Sequence, residues 1–536
     1  MRLLKYLQTR HNSRDDEGKL MGATMTAMIL AAGLLALPAS AAPQVEEVSL
    51  EQLSAQLAAG KTSSVALTRA YFARIAKIDR KGPTLRSIIA LNPDALTQAR
   101  ALDAERAAGR VRGPLHGVPV LLKDNIEAAD PIPTTAGSLA LARNVTRRDA
   151  PLVARLRAAG AVILGKTNLS EWANIRSTRS ISGWSAVGGL VRNPYALDRT
   201  ACGSSSGSGA AVAASLAAAA VGTETDGSVT CPSSVNGLVG LKPTWGLVSA
   251  ERVVPISHSQ DTPGPMARSV RDAALLLGAM TGGTTDYAAA LSTSALSGAR
   301  VAVIRPPELR PALAARYDAA LAVLRNAGAE LVEVTPPKLD GLGEAELLVL
   351  KTELKADLNA YLATTPASVT TRTLAEVIAF DRAHASAEMP YFGQELFEEA
   401  EQTKGLDDPA YRAARATSLR LAGAQGIDAM LRETRATLIV EPTYDAAWPS
   451  DRVYGDQYSG PSASQLPAIA GYPHLTVPMG LADGLPVGLS FIATRGGDQA
   501  VLGAGYAYEQ RAKARVAPRY LAQAGVNAAA DSGVAR

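Results

Sequence analysis

Histidine is scarce in this chain, with five residues in 536. A hydrolase built on a histidine base has few places to put one. Cysteine is scarcer still. The two, Cys202 and Cys231, form no C-x-x-C pair, and H-E-x-x-H does not occur. The donor set of a zinc site is therefore missing, and neither a metal nor another cofactor is expected. Aromatic residues make up 4% of the chain, and no basic stripe interleaves with them. That argues against a nucleic-acid partner. Charge is nearly balanced at +4, part of it in the N-terminal segment. No repeat of 20–50 residues is visible. No apolar run reaches the length of a comfortable membrane span.

What is present is a globular composition, 47% hydrophobic and 19% charged. Without a Pro/Ser/Gly linker or charge run to divide it, the chain reads as one large domain. MTAMILAAGLLALPASAA (25–42) joins a short apolar run to Ala39-Ser40-Ala41, an A-x-A cleavage pattern. Residues 1–42 are read as a signal peptide, which predicts a periplasmic or secreted protein with no stable membrane insertion after cleavage. An uncleaved anchor is the alternative, and Met21 or Met25 are alternative starts. The domain is expected over 43–522, followed by a disordered tail at 523–536. An exported protein could pair Cys202 with Cys231, or both could be buried thiols.

Ser49 and Gln52 fit a capping box opening a helix. Helices are expected over about 63–78, 93–108 and 151–159. Strands are expected over 87–92, over 118–126 with an end at Lys123, and over 161–165. The alternation continues with strands at 301–304, 330–334, 437–442, 475–479 and 485–493. A mostly helical stretch covers 343–435, and a closing helix 498–514. The alanine-rich run at 209–220 reads as a core helix. This pattern predicts an α/β fold, a mixed β-sheet with helices on both faces.

Two motifs mislead. GAVILGKT (160–167) matches the P-loop spacing, but its four inner residues are the apolar strand itself, and Gly160 reads as a helix terminator. GSSSG (203–207) matches a nucleophile elbow, but RNPYALDRTAC before it is loop, not strand. S-x-x-K is absent. There remain one lysine at a strand end, Lys123, and two serine-bearing glycine turns, CGSSSGSG (202–209) and GTETDGS (222–228). Taken singly, each has a plain structural reading: a snorkelling lysine, a polar helix cap and a loop serine.

Taken together, GVPVLLKDN, CGSSSGSG, TDGS, GLKPTWGLVS and DTPGPMARSVRDAALLL resemble the amidase signature family. So do AIAGYPHLTVPMG and GLPVGLSFIA. The likeness spans about 49–515, and GKTNLSEWANIRS and GTETDGS are most similar to its bacterial peptide amidases. The commoner family pattern is G-T-D-x-G-G-S-x-R. This chain has Glu224, Asp226 and Thr230 at the Asp, Gly and Arg places.

The resemblance implies a Ser-Ser-Lys triad: Ser228 as nucleophile, Ser204 as bridging serine in a cis peptide, Lys123 as base. A lysine pKa near ~10.4 must fall by about 3 for the amine to act near neutrality, which burial can supply. Ser228 would attack a carboxamide, pass through an acyl-enzyme and release ammonia. The backbone N–H groups of Thr225, Asp226, Gly227 and Ser228 are the implied oxyanion hole. The Asp226 side chain either contacts substrate or caps its own turn. The substrate expected is the C-terminal amide of peptides. The alternatives are another amide, a role as amidotransferase subunit, or a binding protein that keeps the fold without the chemistry. His116, His258, His384 and His474 are read as structural.

Overall fold

The computed structural model describes residues 43–525. The signal peptide expected over 1–42 lies outside the described residues, as does all but the start of the tail expected at 523–536. The capping box forms as expected: Ser49 accepts from the Gln52 amide and Gln52 reaches back to the Ser49 amide, opening helix Leu50–Ala58.

Among the described residues eleven strands form one mixed sheet. In chain order the strands are β1 (Ile88–Leu91), β2 (Pro119–Lys123), β3 (Val162–Thr167), β4 (Trp184–Ser185), β5 (Gly189–Leu190), β6 (Ala219–Glu224) and β7 (Val239–Lys242). There follow β8 (Thr262–Ala267), β9 (Arg300–Ile304), β10 (Glu330–Val334), β11 (Leu438–Pro442), β12 (His474–Ala482) and β13 (Leu485–Ile492). β4 and β5 make a separate ribbon, and the sheet order is β1-β3-β2-β6-β8-β7-β12-β13-β11-β9-β10. β3, β2 and β6 run parallel, β8 turns antiparallel to β6, and β11, β9 and β10 are again parallel. β2, β3, β6 and β8 are buried along their whole length, as strands covered on both faces must be.

One set of helices, Val270–Met280, Pro311–Asn326 and Asp498–Ala512, packs against β8 and β12. Another, Ser206–Ala213 and Thr230–Val235, packs against β2, β3, β6 and β12. The helices of 342–434 form their own apolar cluster, in which Leu354, Leu358 and Phe397 meet Trp172 and Val254. This helical region brings Glu346 to Gln260 and Glu353 to Ser257 and Ser259, in the loop before β8.

The P-loop look-alike is a strand, as expected: residues 162–167 are β3, and Gly160 ends the preceding helix at φ 86°. The alanine run corrects a second expectation. It is not one helix over 209–220. The helix ends at Ala213, Ser215 reverses the chain at φ 56°, and Ala219–Glu224 is a central strand. Alanine has high helix propensity, but tertiary pairing decides here. β6 lies between β2 and β8 with every residue buried, and at Gly222 the packing leaves no room for a side chain, since a Cβ there would stand 2.8 Å from Met266 Sδ. Ser228 therefore follows a strand rather than a helix.

Candidate active site

β2 is an apolar strand whose last residue, Lys123, is wholly buried. Its amine donates to Ser204 Oγ at 2.7 Å, Thr223 Oγ1 at 2.9 Å and the Thr223 carbonyl at 3.1 Å. Among the described residues no carboxylate bonds it. Burial lowers its pKa from 10.5 to about 7, against the pull of Asp261 and Glu224. Lys166, one strand over on β3, is equally buried, but its amine lies 3.2 Å from Asp124 Oδ1. Two lysines on adjacent strands thus differ in partner. One is held by a carboxylate. The other is surrounded by neutral oxygens, where the uncharged amine is favoured near neutrality.

The serine cluster is assigned residue by residue. Ser205 precedes helix Ser206–Ala213 but does not cap it; its hydroxyl donates to the Thr223 carbonyl at 3.1 Å and accepts from the Thr223 amide at 3.2 Å. Ser208 bonds Thr167 Oγ1 at 2.8 Å. Only Ser204 turns to Lys123, and the Gly203–Ser204 peptide is cis. Gly207 allows the close approach: a Cβ there would stand 2.3 Å from the Ser87 carbonyl oxygen and 2.4 Å from that of Asn168.

The second turn begins where β6 ends. Gly227 adopts φ 77°, and a Cβ on it would lie 2.5 Å from Tyr444 Oη. The Ser205 amide donates to the Ser228 carbonyl at 3.1 Å, pinning the two serine loops together. Lys123 and Ser204 are 0% exposed and Ser228 is 7% exposed, so Ser228 is the triad candidate nearest solvent. Among the described residues, the amides of Asp226, Gly227 and Ser228 donate to no protein acceptor. Consecutive free donors beside a hydroxyl are what an oxyanion requires. The Thr225 hydroxyl donates to Asp261 at 2.6 Å and its carbonyl accepts from Gln260 at 3.2 Å. Asp261 also takes the Ile256 and Ser257 amides, and burial raises its pKa to about 6.

Two residues that depart from the family pattern, Glu224 and Thr230, meet in the structure. Glu224 Oε2 accepts from the Val229 amide at 2.8 Å, the Thr230 amide at 2.9 Å and the Thr230 hydroxyl at 3.1 Å. Glu224 thereby ties the end of β6 to the residues after Ser228. Among the described residues no amide of the Asp226 turn donates to the Asp226 side chain. Its residue is solvent-exposed, at the turn that carries Ser228. Burial, and Glu346 beside it, raise its carboxyl well above the ordinary range.

Sequence reasoning misses the remaining positions. Thr223 holds the amine, and Asn125 Nδ2 donates to Thr223 Oγ1 at 3.0 Å. Thr223 is legible in principle, two residues before Thr225 on an alternating strand. Gln260, Glu346, Tyr444 and Ser464 come from distant segments with no motif of their own. The histidines have structural partners: His116 meets the Leu102 carbonyl, His258 meets Asp357, His384 meets the Phe380 carbonyl and His474 meets Ser490. His258, Glu353 and Asp357 bring ligand-type atoms within 4.8 Å of one another. Glu353 is already engaged by Ser257, Ser259 and Tyr411, which makes this cluster a brace for the 256–261 loop.

Cys202 and Cys231 are joined by a disulfide, Cα to Cα 6.0 Å, linking the loop of Ser204 to the helix after Ser228. The closed segment spans a separation of 29 residues. Loop-closure entropy gives such a bond about 3–4 kcal/mol. Cys202→Ala with Cys231→Ala is expected to lower unfolding free energy by about 3 kcal/mol in urea titrations.

Residues 66–502 match the family described as Amidase. A probable amidase of Arabidopsis thaliana is 37% identical over 502 residues, covering 89% of this chain and 92% of that protein. A glutamyl-tRNA(Gln) amidotransferase subunit of Thermobifida fusca is 36% identical over 495 residues, covering 86% and 95%. The solved peptide amidase of Stenotrophomonas maltophilia aligns with TM-score 0.85 and 50% identity, covering 88% of this chain and 99% of that one. A further peptide amidase structure, in complex with the competitive inhibitor chymostatin, aligns equally well. Motifs in order, sheet topology and relatives along nearly the whole described chain agree: this chain belongs to the amidase family.

Proposed function

We propose that this amidase hydrolyses the C-terminal carboxamide of peptides through Ser228, Ser204 and Lys123. The observation that carries the reading is the buried, carboxylate-free Lys123 amine 2.7 Å from Ser204 Oγ. An amine that is neutral near pH 7 accepts a proton from Ser204, which takes one from Ser228, since a hydroxyl donates and accepts at once. Ser228 Oγ adds to the carbonyl carbon, and the oxygen charge develops towards the amides of the 225–228 turn. Collapse of the tetrahedral intermediate breaks the C–N bond. The relay, run in reverse, protonates the departing ammonia. Water then repeats the cycle on the ester and frees the acid.

The peptide-amide substrate rests on the 50% identity to the Stenotrophomonas maltophilia peptide amidase. Ammonia release from peptide amides, glutaminyl compounds and small or aryl amides tests it. Peptide amides should turn over with kcat/KM at least about tenfold above the rest. A preference for small or aryl amides would replace this substrate. Slow release from every amide, unchanged by Ser228→Ala, would leave a binding protein.

Export to the periplasm or medium is part of the same proposal. The A-x-A pattern after the apolar run at 25–42 supports it. So does a disulfide, which persists in oxidising compartments. Both run against the amidotransferase role, which needs a cytosolic partner.

A further inference from the structure

A cavity of about 720 Å³ lies outside the active site, within the range of about 300–1,000 Å³ usual for small-molecule sites. Its described lining residues include none of the catalytic or oxyanion positions. One wall is helix Val270–Met280, which contributes Arg271, Ala274, Leu275, Gly278 and Ala279. That is the i, i+3, i+4, i+7, i+8 spacing of a single helix face. From Arg271 to Ala279 this face rises about 12 Å. Its alanines and glycine leave the space open: a Cβ on Gly278 would meet only the Thr285 carbonyl oxygen, at 3.6 Å. The floor is apolar, since Leu115, Ala274, Tyr287 and Ala288 are buried members of the main core.

The cavity carries three guanidinium groups, Arg112, Arg155 and Arg271, against one acid, Asp286. Arg112 is paired with Glu105, and Arg271 reaches Tyr506 Oη at 3.1 Å and Glu51 at 3.7 Å. Asp286 Oδ1 accepts the Ala288 and Ala289 amides at 3.1 and 2.9 Å. Arg155, on helix Pro151–Ala158, differs. Among the described residues it pairs with no acid, and its Nη1 donates to the Met280 carbonyl at 3.3 Å. That bond holds an exposed guanidinium at the C-terminal end of the Val270–Met280 wall.

We infer that this cavity binds an aliphatic monocarboxylate, with its chain along the Ala274–Gly278 face and its head on Arg155. The apolar floor takes methylene groups out of water, and an unpaired guanidinium offers a carboxylate two parallel N–H donors. A neutral head would leave Arg155 unused, and a cationic head would meet three arginines. The inference goes beyond the hydrolytic reading and does not depend on it.

Calorimetric titration of the full protein with octanoate, octanol and octylammonium tests it. Octanoate should bind at one site, at least about tenfold more tightly than the other two. Arg155→Gln should bring octanoate down to the level of octanol and leave octanol unchanged. Gly278→Leu should remove the binding of both by filling the cavity. Leucine suits a helix better than glycine does, so this variant should fold. Both variants should keep wild-type amide turnover, because neither residue belongs to the active site. The proposal is overturned if octanoate fails to bind or binds no better than octanol, or if Arg155→Gln leaves its affinity unchanged. It is also overturned if octanoate binding survives Gly278→Leu, which would place the acid elsewhere, the active site included.

Discussion

Ser228→Ala should lower kcat on a peptide amide by a factor on the order of 10⁴–10⁶, and Ser204→Ala by about 10²–10⁴. The two losses differ because the roles differ. Ser228 supplies the atom that bonds to carbon, and no neighbouring hydroxyl can take over that step. Ser204 only passes a proton. Without it, water can bridge part of the path to Lys123, less well aligned. Both variants should fold. Ser228 is slightly exposed, so the lost hydroxyl leaves little buried demand. In Ser204→Ala the amine keeps the Thr223 hydroxyl and carbonyl. Single-turnover ammonia release with protein matched for unfolding midpoint separates lost chemistry from lost fold. Equal, small losses in both variants would remove the relay.

Lys123→Met should abolish turnover, by about 10³-fold or more, and at the same time stabilise the protein. Burial moves the folded-state lysine from 10.5 to about 7. At neutral pH the unfolded chain holds a proton that the folded site releases or holds at a penalty, so burial opposes folding there by roughly 4–5 kcal/mol. Methionine fills similar volume without that penalty, but leaves Ser204 and Thr223 without their donor. The net gain is expected at about 2–3 kcal/mol. The sign with pH follows. Wild-type stability rises from about pH 7 to pH 10.5 as the unfolded lysine loses its proton, so the methionine advantage is full at and below pH 7 and shrinks towards pH 10.5. Urea denaturation at about pH 7 and about pH 10 reads it directly. A variant less stable than wild type at neutral pH would mean that the lysine is not held against its charge. The same trade of stability for activity is common at functional sites.

Much of this site was legible because its segments are short and chemically unusual. Taken singly, an apolar strand ending in lysine and serines between glycines have plain structural readings; taken together they resemble the amidase signature family, and that resemblance pointed to Lys123, Ser204 and Ser228. The structure brings Lys123 and Ser204 together and the Ser228 loop beside them. The alternating pattern likewise placed the sheet's outer strands and the false P-loop. What failed was the alanine run, where side chains carry no periodic signal and strand pairing chose the structure. Asp261, Glu346, Tyr444 and Ser464 were invisible for another reason. Each is an ordinary polar residue locally, and only the tertiary fold brings it to the nucleophile's turn. The pairing of Cys202 with Cys231 was open from sequence because it depends on how close two loops come.

Catalysis by this relay requires an uncharged lysine at neutral pH, and the pH dependence of kcat/KM for an uncharged peptide amide tests that most directly. Between about pH 5 and 9 the value should rise with an apparent pKa near the folded-state value of about 7 and level off above it, as the Lys123 amine loses its proton. A flat profile across that range would contradict a lysine base.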